Sequence, residues 1–375
     1  MGLDATMNRL PLPLVLLLCV NACAAPPPPA ATVPPPPAEF ARRAGELLEQ
    51  NYRPDAPGVV VLVARGDTVL FRAARGEADF ASKVPLRPEA VFRIGSITKQ
   101  FAAAGLLKLV DHGRVKLRDP LSRYVPDFPG GNRITLRHLL NHTSGIASYT
   151  DLPNYMERQI QRDLTTAQMI DVFRNLPPRF PPGSHCEYSN SNYVLVGAVI
   201  EAVSGVPWYS YLEEALFEPL GMRQTGFGPD PRFAVRQVPG HSYEGQKVVP
   251  ARSISMTQAH AAGALVSSAD DLLTWNRALH GGRVLERSTY AQMVTPVGKA
   301  ADGGVRSGFG LIRERLRGRE TLWHGGDIFG FSAALIYTPG PDITVVVMEN
   351  DDAEVEQDDA KTFARKLAAL ALGDR

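Results

Sequence analysis

Cysteine is almost missing from this chain: there are three in 375 residues, at positions 19, 23 and 186. The first two fall in an N-terminal leader, so the remainder holds only Cys186 and no intrachain disulfide framework is available. Stability has to come from the core, and Cys186 itself reads as a small buried hydrophobe. A charge excess is also missing. Lys plus Arg number 40 against 39 for Asp plus Glu, and the net +1 gives no field that would attract nucleic acid or other polyanions. There is no long hydrophobic run either, because the most apolar stretch, Leu10 to Val20, is broken by prolines and too short to span a bilayer. Metal-ligand clusters are equally scarce. His138 and His142 sit four apart but lack the intervening glutamate of a zinc-protease helix and a third ligand, so neither metal nor cofactor is expected.

What is present begins with that leader. Arg9 precedes the apolar stretch, and Val20-Asn-Ala-Cys23 has the form of a bacterial lipobox, so residues 1–23 read as a lipoprotein-type signal peptide lipidated at Cys23. An ordinary cut after Ala22 or Ala24 is the competing reading. Asp4 is out of place in a positive n-region, and translation from Met7 would remove it. Residues 24–39 are a proline-rich linker, stiff and extended. The mature protein is therefore expected to be exported to the periplasm or cell envelope and tethered to a membrane.

Residues 40–372 carry the globular pattern. Phe40 to Asn51 is periodic as a helix, Val59 to Ala64 and Thr68 to Ala73 flank a Gly-Asp turn as a hairpin, and Lys361 to Leu372 closes the chain as an apolar helix. Short strand-like runs lie at Gly308 to Glu314, Thr321 to His324, Phe331 to Tyr337 and Thr344 to Glu349. The centre is helical, at Thr98 to Val110, Leu136 to Leu140, Thr166 to Asn175, Asn192 to Val203, Trp208 to Leu216 and Ala269 to Leu279. Stops are expected at Gly113, Gly145, Gly205 and Gly281 and a cap at Ser268. Phe227 to Ser255, rich in Pro and Gly, reads as a loop bordering a cleft. Strands and a helix at both ends around a helical centre predict an α/β (α+β) architecture, an antiparallel sheet flanked by helices plus an all-helical lobe.

The chemistry is concentrated in Phe92-Arg-Ile-Gly-Ser-Ile-Thr-Lys99. If a helix starts there, Ser96 and Lys99 lie one turn apart on one face, which suits a nucleophilic serine with a lysine base. Downstream stand Tyr188-Ser-Asn190 and His324-Gly-Gly326, and the chain also contains Leu139-Leu-Asn-His-Thr-Ser-Gly-Ile146, Glu218-Pro-Leu-Gly-Met222 and Gly263-Ala-Leu-Val-Ser-Ser268. Together these resemble the penicillin-recognising serine hydrolases, in the branch of class C β-lactamases, D-alanyl-D-alanine carboxypeptidases, D-aminopeptidases and related esterases.

That resemblance implies a β-lactamase/transpeptidase-like fold with the site between its two lobes. It further implies Ser96 as nucleophile, Lys99 as its base, Tyr188 as proton relay, and Asn190, His324, Gly325 and Gly326 as substrate-binding positions. The backbone N–H groups of Ser96 and Asp327 would form the oxyanion hole. A neutral Lys99 requires its pKa to fall by roughly three units, about 4 kcal/mol, through burial and positive potential. One departure stands out: relatives place a Thr where this chain has Gly325, so the hydroxyl that holds a substrate carboxylate is missing. Protonated His324 or an arginine such as Arg252 are the alternatives. The expected activity is metal-independent hydrolysis of small esters or D-amino-acid amides and peptides through an acyl-enzyme. Cell-wall carboxypeptidase, β-lactamase and a noncatalytic sensor follow as alternatives.

Overall fold

The computed structural model describes Met1 and residues 36–302, 306–352 and 359–373. The leader, the Cys23 lipobox and most of the proline-rich linker lie outside the described residues. Seven strands, β1 (Val59–Arg65), β2 (Thr68–Arg75), β3 (Arg306–Ser307), β4 (Ile312–Leu316), β5 (Arg319–Ile328), β6 (Phe331–Thr338) and β7 (Ile343–Glu349), form one antiparallel sheet in the order β3-β4-β5-β6-β7-β1-β2. The run VVVLVAR makes β1 central, because a strand apolar at every position is stable only with both faces covered. Its residues divide by parity. Val59, Val61 and Val63 share a core with Phe40, Ala44 and Leu48 of helix α1 (Pro37–Asn51), whereas Val60, Leu62 and Ala64 enter a larger core built mainly from central helices.

Those helices include α2 (Thr98–Asp111), α3 (Asn190–Ser204), α4 (Met256–Gly263) and α5 (Ala269–His280). As expected, Ser268 caps α5, its side chain accepting the Asp271 N–H. The last helix, α6 (Ala360–Ala371), buries Phe363, Ala364, Leu367 and Ala368 beside α1. The result is a sheet with terminal helices on one face and a helical lobe on the other, the predicted β-lactamase/transpeptidase-like architecture. No single helix among the described residues is long and apolar enough to cross a membrane.

Several boundaries differ from the sequence reading. The strand expected at Thr321 to His324 runs on to Ile328, since Gly325 and Gly326 continue its pairing with Ala334 and Ala333. The strand expected from Gly308 starts only at Ile312, because Gly310 (φ +68) turns against the Lys99 backbone. Residues 227–255 are not loop throughout: they hold a short helix, Pro231–Ala234, and a hairpin of His241–Glu244 with Lys247–Pro250. Gly145 stops no helix, for Leu136–Leu140 already ends at Asn141.

One consequence of the sheet order positions the site. β4 pairs only with Arg319 to Trp323, so β5 from His324 to Ile328 has β6 on one side and an open edge on the other. The turn that carries Ser96 occupies that edge.

Candidate active site

Gly95–Ile97 is a single 3₁₀ turn leading directly into α2. It is anchored from behind, the Ile94 N–H donating to Leu265 O at 3.1 Å while Phe92–Arg93 pairs with Val266 and Ser267. Gly95 has φ +47, and a Cβ there would lie 2.9 Å from the Asp327 nitrogen. From the strand side, a Cβ on Gly326 would come within 1.9 Å of Ile94 O and 3.1 Å of the Ser96 nitrogen. Glycine at both positions is what lets the two backbones meet. The Ser96 and Asp327 nitrogens, expected as a pair, therefore come together at the open edge of β5.

Lys99 follows one turn later and is completely buried. Its Nζ lies 2.9 Å from Ser96 Oγ, 2.8 Å from Asn190 Oδ1 and 2.7 Å from Ala262 O. Among the described residues no carboxylate balances it, and burial pushes its pKa well below the usual lysine value. In the neutral amine that burial favours, two N–H groups donate to the two carbonyl oxygens and the lone pair faces the Ser96 hydroxyl. Ala262 O is available because it lies in the last turn of α4, where helix carbonyls have no intrahelical partner.

Tyr188 donates its hydroxyl to Ser96 Oγ at 2.9 Å. Although 44% exposed to the cleft, the ring is flanked by protein, and the reduced hydration raises the phenol pKa above its usual value; the Ser96 hydroxyl opposes that rise and the Asp327 carboxylate adds to it. The phenol is thus protonated at neutral pH. Behind it lies the His142 ring, tilted by 31° at 4.5 Å between centroids, its Nδ1 accepting the Ser189 N–H at 3.2 Å. Burial, with Lys99 and then His324, holds this imidazole neutral. His138 uses its Nδ1 to accept the Thr135 N–H in a capping box, and among the described residues no group of three metal-ligating side chains exists. Asn190 opens α3, with its N–H on Ser148 Oγ (3.1 Å) and its Nδ2 on Thr150 Oγ1 (3.2 Å), so its carbonyl oxygen is aimed at Lys99.

His324 is buried on β5, its Nδ1 2.6 Å from Gly325 O, which places the ring proton on Nδ1. Burial and then Lys99 lower its pKa to about 4 against the pull of that carbonyl, so the protonated His324 considered from the sequence is not the form at neutral pH. Position 325 also differs from expectation. A Cβ there would lie 2.8 Å from Lys361 Cδ, on the α6 side of the sheet and away from Ser96. Lys361 fills that place and is itself committed, its Nζ 2.8 and 2.7 Å from the two Asp327 oxygens and 3.1 Å from Asp359.

One cavity is lined by Ser96 itself and a second by its partner Tyr188. The first, about 260 Å³, is lined by Ser96, Asn190 and Asp327 and walled by Tyr149, Met156, Ile254, Ile328 and Phe329. The second, about 370 Å³, is lined by Tyr188, His324, His142, His185, Cys186 and Ser307. Burial raises the Cys186 thiol pKa, consistent with an inert half-buried side chain. Arg252 belongs to neither, lying beyond Phe329 with its guanidinium 5.1 Å from that ring. Sequence reasoning missed Ala262 O, Ser148, Thr150 and Lys361. A carbonyl has no residue signature, and the other three acquire meaning only through contacts distant in the chain.

The profile of the family described as Beta-lactamase matches residues 40–370. Among solved structures, the chain is similar to a D-stereospecific amidohydrolase from Streptomyces sp., with 30% identity covering 88% of this chain and 97% of the other at a TM-score of 0.74. It is also similar to the D-amino acid amidase from Ochrobactrum anthropi SV3, with 26% identity covering 89% and 97% at a TM-score of 0.78. A D-aminopeptidase from Brucella ovis is 29% identical over 332 residues, 87% of this chain, which spans 61% of that relative's length. With the family profile matching 40–370 and a serine, a lysine and a tyrosine converging at one cleft, the chain belongs to the beta-lactamase family and is a serine hydrolase.

Proposed function

We propose that the protein hydrolyses small amides and esters with uncharged leaving groups, D-amino-acid amides and short acyl esters foremost, through an acyl-enzyme on Ser96. The observation that carries this is the position of Ser96 Oγ, 2.9 Å from both Lys99 Nζ and Tyr188 Oη. Neutral Lys99 takes the hydroxyl proton as Oγ attacks the carbonyl carbon. The oxyanion forms between the Ser96 and Asp327 N–H groups, donors worth about 3 kcal/mol each in such sites. Tyr188 passes a proton to the departing amine or alcohol, and water then cleaves the acyl-enzyme by the reverse route. Because Tyr188 lines the 370 Å³ cavity and not the 260 Å³ one, the leaving group belongs in the former and the acyl group in the apolar latter.

The preference for uncharged leaving groups rests on two positions: His324 is neutral, and Lys361 is engaged by Asp327 and Asp359. The names of the amidase and aminopeptidase relatives support D-amino-acid substrates; carboxypeptidase and β-lactamase activity rank below, and a noncatalytic sensor last. A hydrolysis panel of short esters, D-amino-acid amides, D-Ala-D-Ala peptides and a chromogenic cephalosporin, run beside Ser96→Ala, tests the reading. Neutral esters and amides are expected to give the highest kcat/KM, with Ser96 labelled by a fluorophosphonate. Faster cleavage of D-Ala-D-Ala peptides would reverse the order, and stable acylation without turnover would indicate the sensor. Export and anchoring belong to the same proposal, motivated by Val20-Asn-Ala-Cys23 ahead of the proline-rich linker. Mass spectrometry of the mature protein is expected to find a lipidated Cys23; an unlipidated N-terminus would refute the anchor.

A further inference from the structure

Ile254 and Phe329 wall the acyl cavity on one side and a further cavity of about 590 Å³ on the other. Arg93, three residues before Ser96, lines this further space together with Arg252, Asp163 and Gln237. The Arg93 guanidinium packs 5.6 Å from the Phe331 centroid, and among the described residues it makes no hydrogen bond or ion pair. A half-buried guanidinium normally finds an acceptor, because desolvating five N–H donors without one is costly. Arg252 donates to two backbone carbonyls, Met156 O at 3.2 Å and Glu157 O at 3.1 Å, with no carboxylate partner among the described residues. The acid lining the cavity, Asp163, is occupied with the Ser255 hydroxyl at 2.7 Å. Two cations thus face one carboxylate in a space that adjoins the acyl cavity.

We propose that this cavity is a subsite for a carboxylate at the far end of the substrate's acyl group, with Arg93 as its paired partner and Arg252 at its rim. The orientation rests on the serine-hydrolase reading, which assigns the apolar cavity to the acyl group. An acyl chain leaving Ser96 would cross the apolar wall of Ile254 and Phe329 and bring its terminal carboxylate to Arg93, where planar guanidinium matches planar carboxylate in two hydrogen bonds. The substrates would be neutral at the leaving group and anionic at the acyl terminus, a split that the two sides of the cleft each support.

Binding and turnover separate the two claims. Ser96→Ala protein is titrated calorimetrically with monomethyl esters of the straight-chain diacids from succinate to sebacate, each beside its dimethyl ester. At one chain length the acid should bind tighter than its neutral partner by about tenfold or more, the scale of a charge-assisted pair. Arg93→Met in the Ser96→Ala background should bring that ratio close to one, and Arg252→Met, at an exposed position, should reduce it in part. Using a ratio cancels general losses from misfolding, and Arg252→Met keeps the test open if Arg93→Met does not fold. Equal affinities at every length, or a preference that survives both substitutions, would overturn the subsite. Wild-type turnover of the matching 4-nitrophenyl esters reports on the hydrolase reading alone. Hydrolysis without an acid preference sinks only the subsite, whereas preferential binding without hydrolysis sinks only the catalytic reading.

Discussion

At Lys99 the structure sets two demands against each other. Burial without a counter-ion is unfavourable for a charged amine, and this is what leaves the amine neutral and able to accept the Ser96 proton. The pH dependence follows with a definite sign. The active form is the deprotonated one, so kcat/KM rises with pH through the depressed Lys99 pKa and falls on the acid side of it. His324, lowered to about 4, contributes nothing across the neutral range. Lys99→Met should reduce kcat/KM by roughly a thousandfold, within the range for losing a general base, and should abolish that acid limb. A pH-rate profile of the two proteins decides: an unchanged limb in Lys99→Met would assign it to another group. The same substitution leaves Asn190 Oδ1 and Ala262 O without a donor, at about 1–3 kcal/mol for each buried group, so thermal stability has to be measured alongside activity.

Among the elements, the approach of the Gly95–Ile97 turn to the open edge of β5 leaves no room for a side chain, since a Cβ on Gly326 would lie 1.9 Å from Ile94 O. Two adjacent glycines of β5 should respond differently to the same change. Gly326→Ala puts a Cβ 1.9 Å from a backbone oxygen that cannot yield, forcing turn and strand apart and widening the oxyanion pair; Gly325→Ala meets the flexible stem of Lys361 at 2.8 Å. Gly326→Ala is therefore expected to lower kcat by about a hundredfold or more, the effect of losing one oxyanion donor, with a much smaller loss for Gly325→Ala. Steady-state kinetics on one neutral ester compare them, and equal losses would show that the clash is not the cause. This pair also marks how far sequence carries. The β1–β2 hairpin, α1, α6 and the helical centre were legible because apolar periodicity is a local property. Ser96, Lys99, Tyr188 and Asn190 were legible as motifs. The extension of β5 through Gly325 and Gly326 was not, because glycine pairs read as turns unless a neighbouring strand holds them in register. The side of the sheet faced by position 325 was equally hidden, depending on a lysine 36 positions later.

On the scale of the whole molecule, the sheet joins the first and last of the described elements, and a buried carboxyl sits at their junction. Glu349 ends β7 opposite Val59 and Ser332, accepts the hydroxyl of Tyr52 just after α1, and accepts the Ala360 N–H at 3.1 Å where α6 begins. Burial raises its pKa well above the ordinary 4.5, Asp351 adds to the rise, and the Tyr52 hydroxyl opposes it. A carboxyl raised in the folded state binds its proton more tightly there than in the unfolded chain. Its stabilising contribution is therefore complete below about pH 4.5, the unfolded value, and is lost as pH climbs toward the folded value, at about 1.4 kcal/mol per pH unit within that window. Glu349→Gln retains the shape and removes the titration; with its amide donating to Tyr52 Oη and its carbonyl accepting the Ala360 N–H, both contacts persist. The variant should melt close to wild type near pH 4 and increasingly above it as pH rises to 8. Thermal denaturation across that range tests the assignment, and a difference in Tm that stays constant with pH would mean that Glu349 is not the group through which rising pH loosens the junction of β7 with α1 and α6.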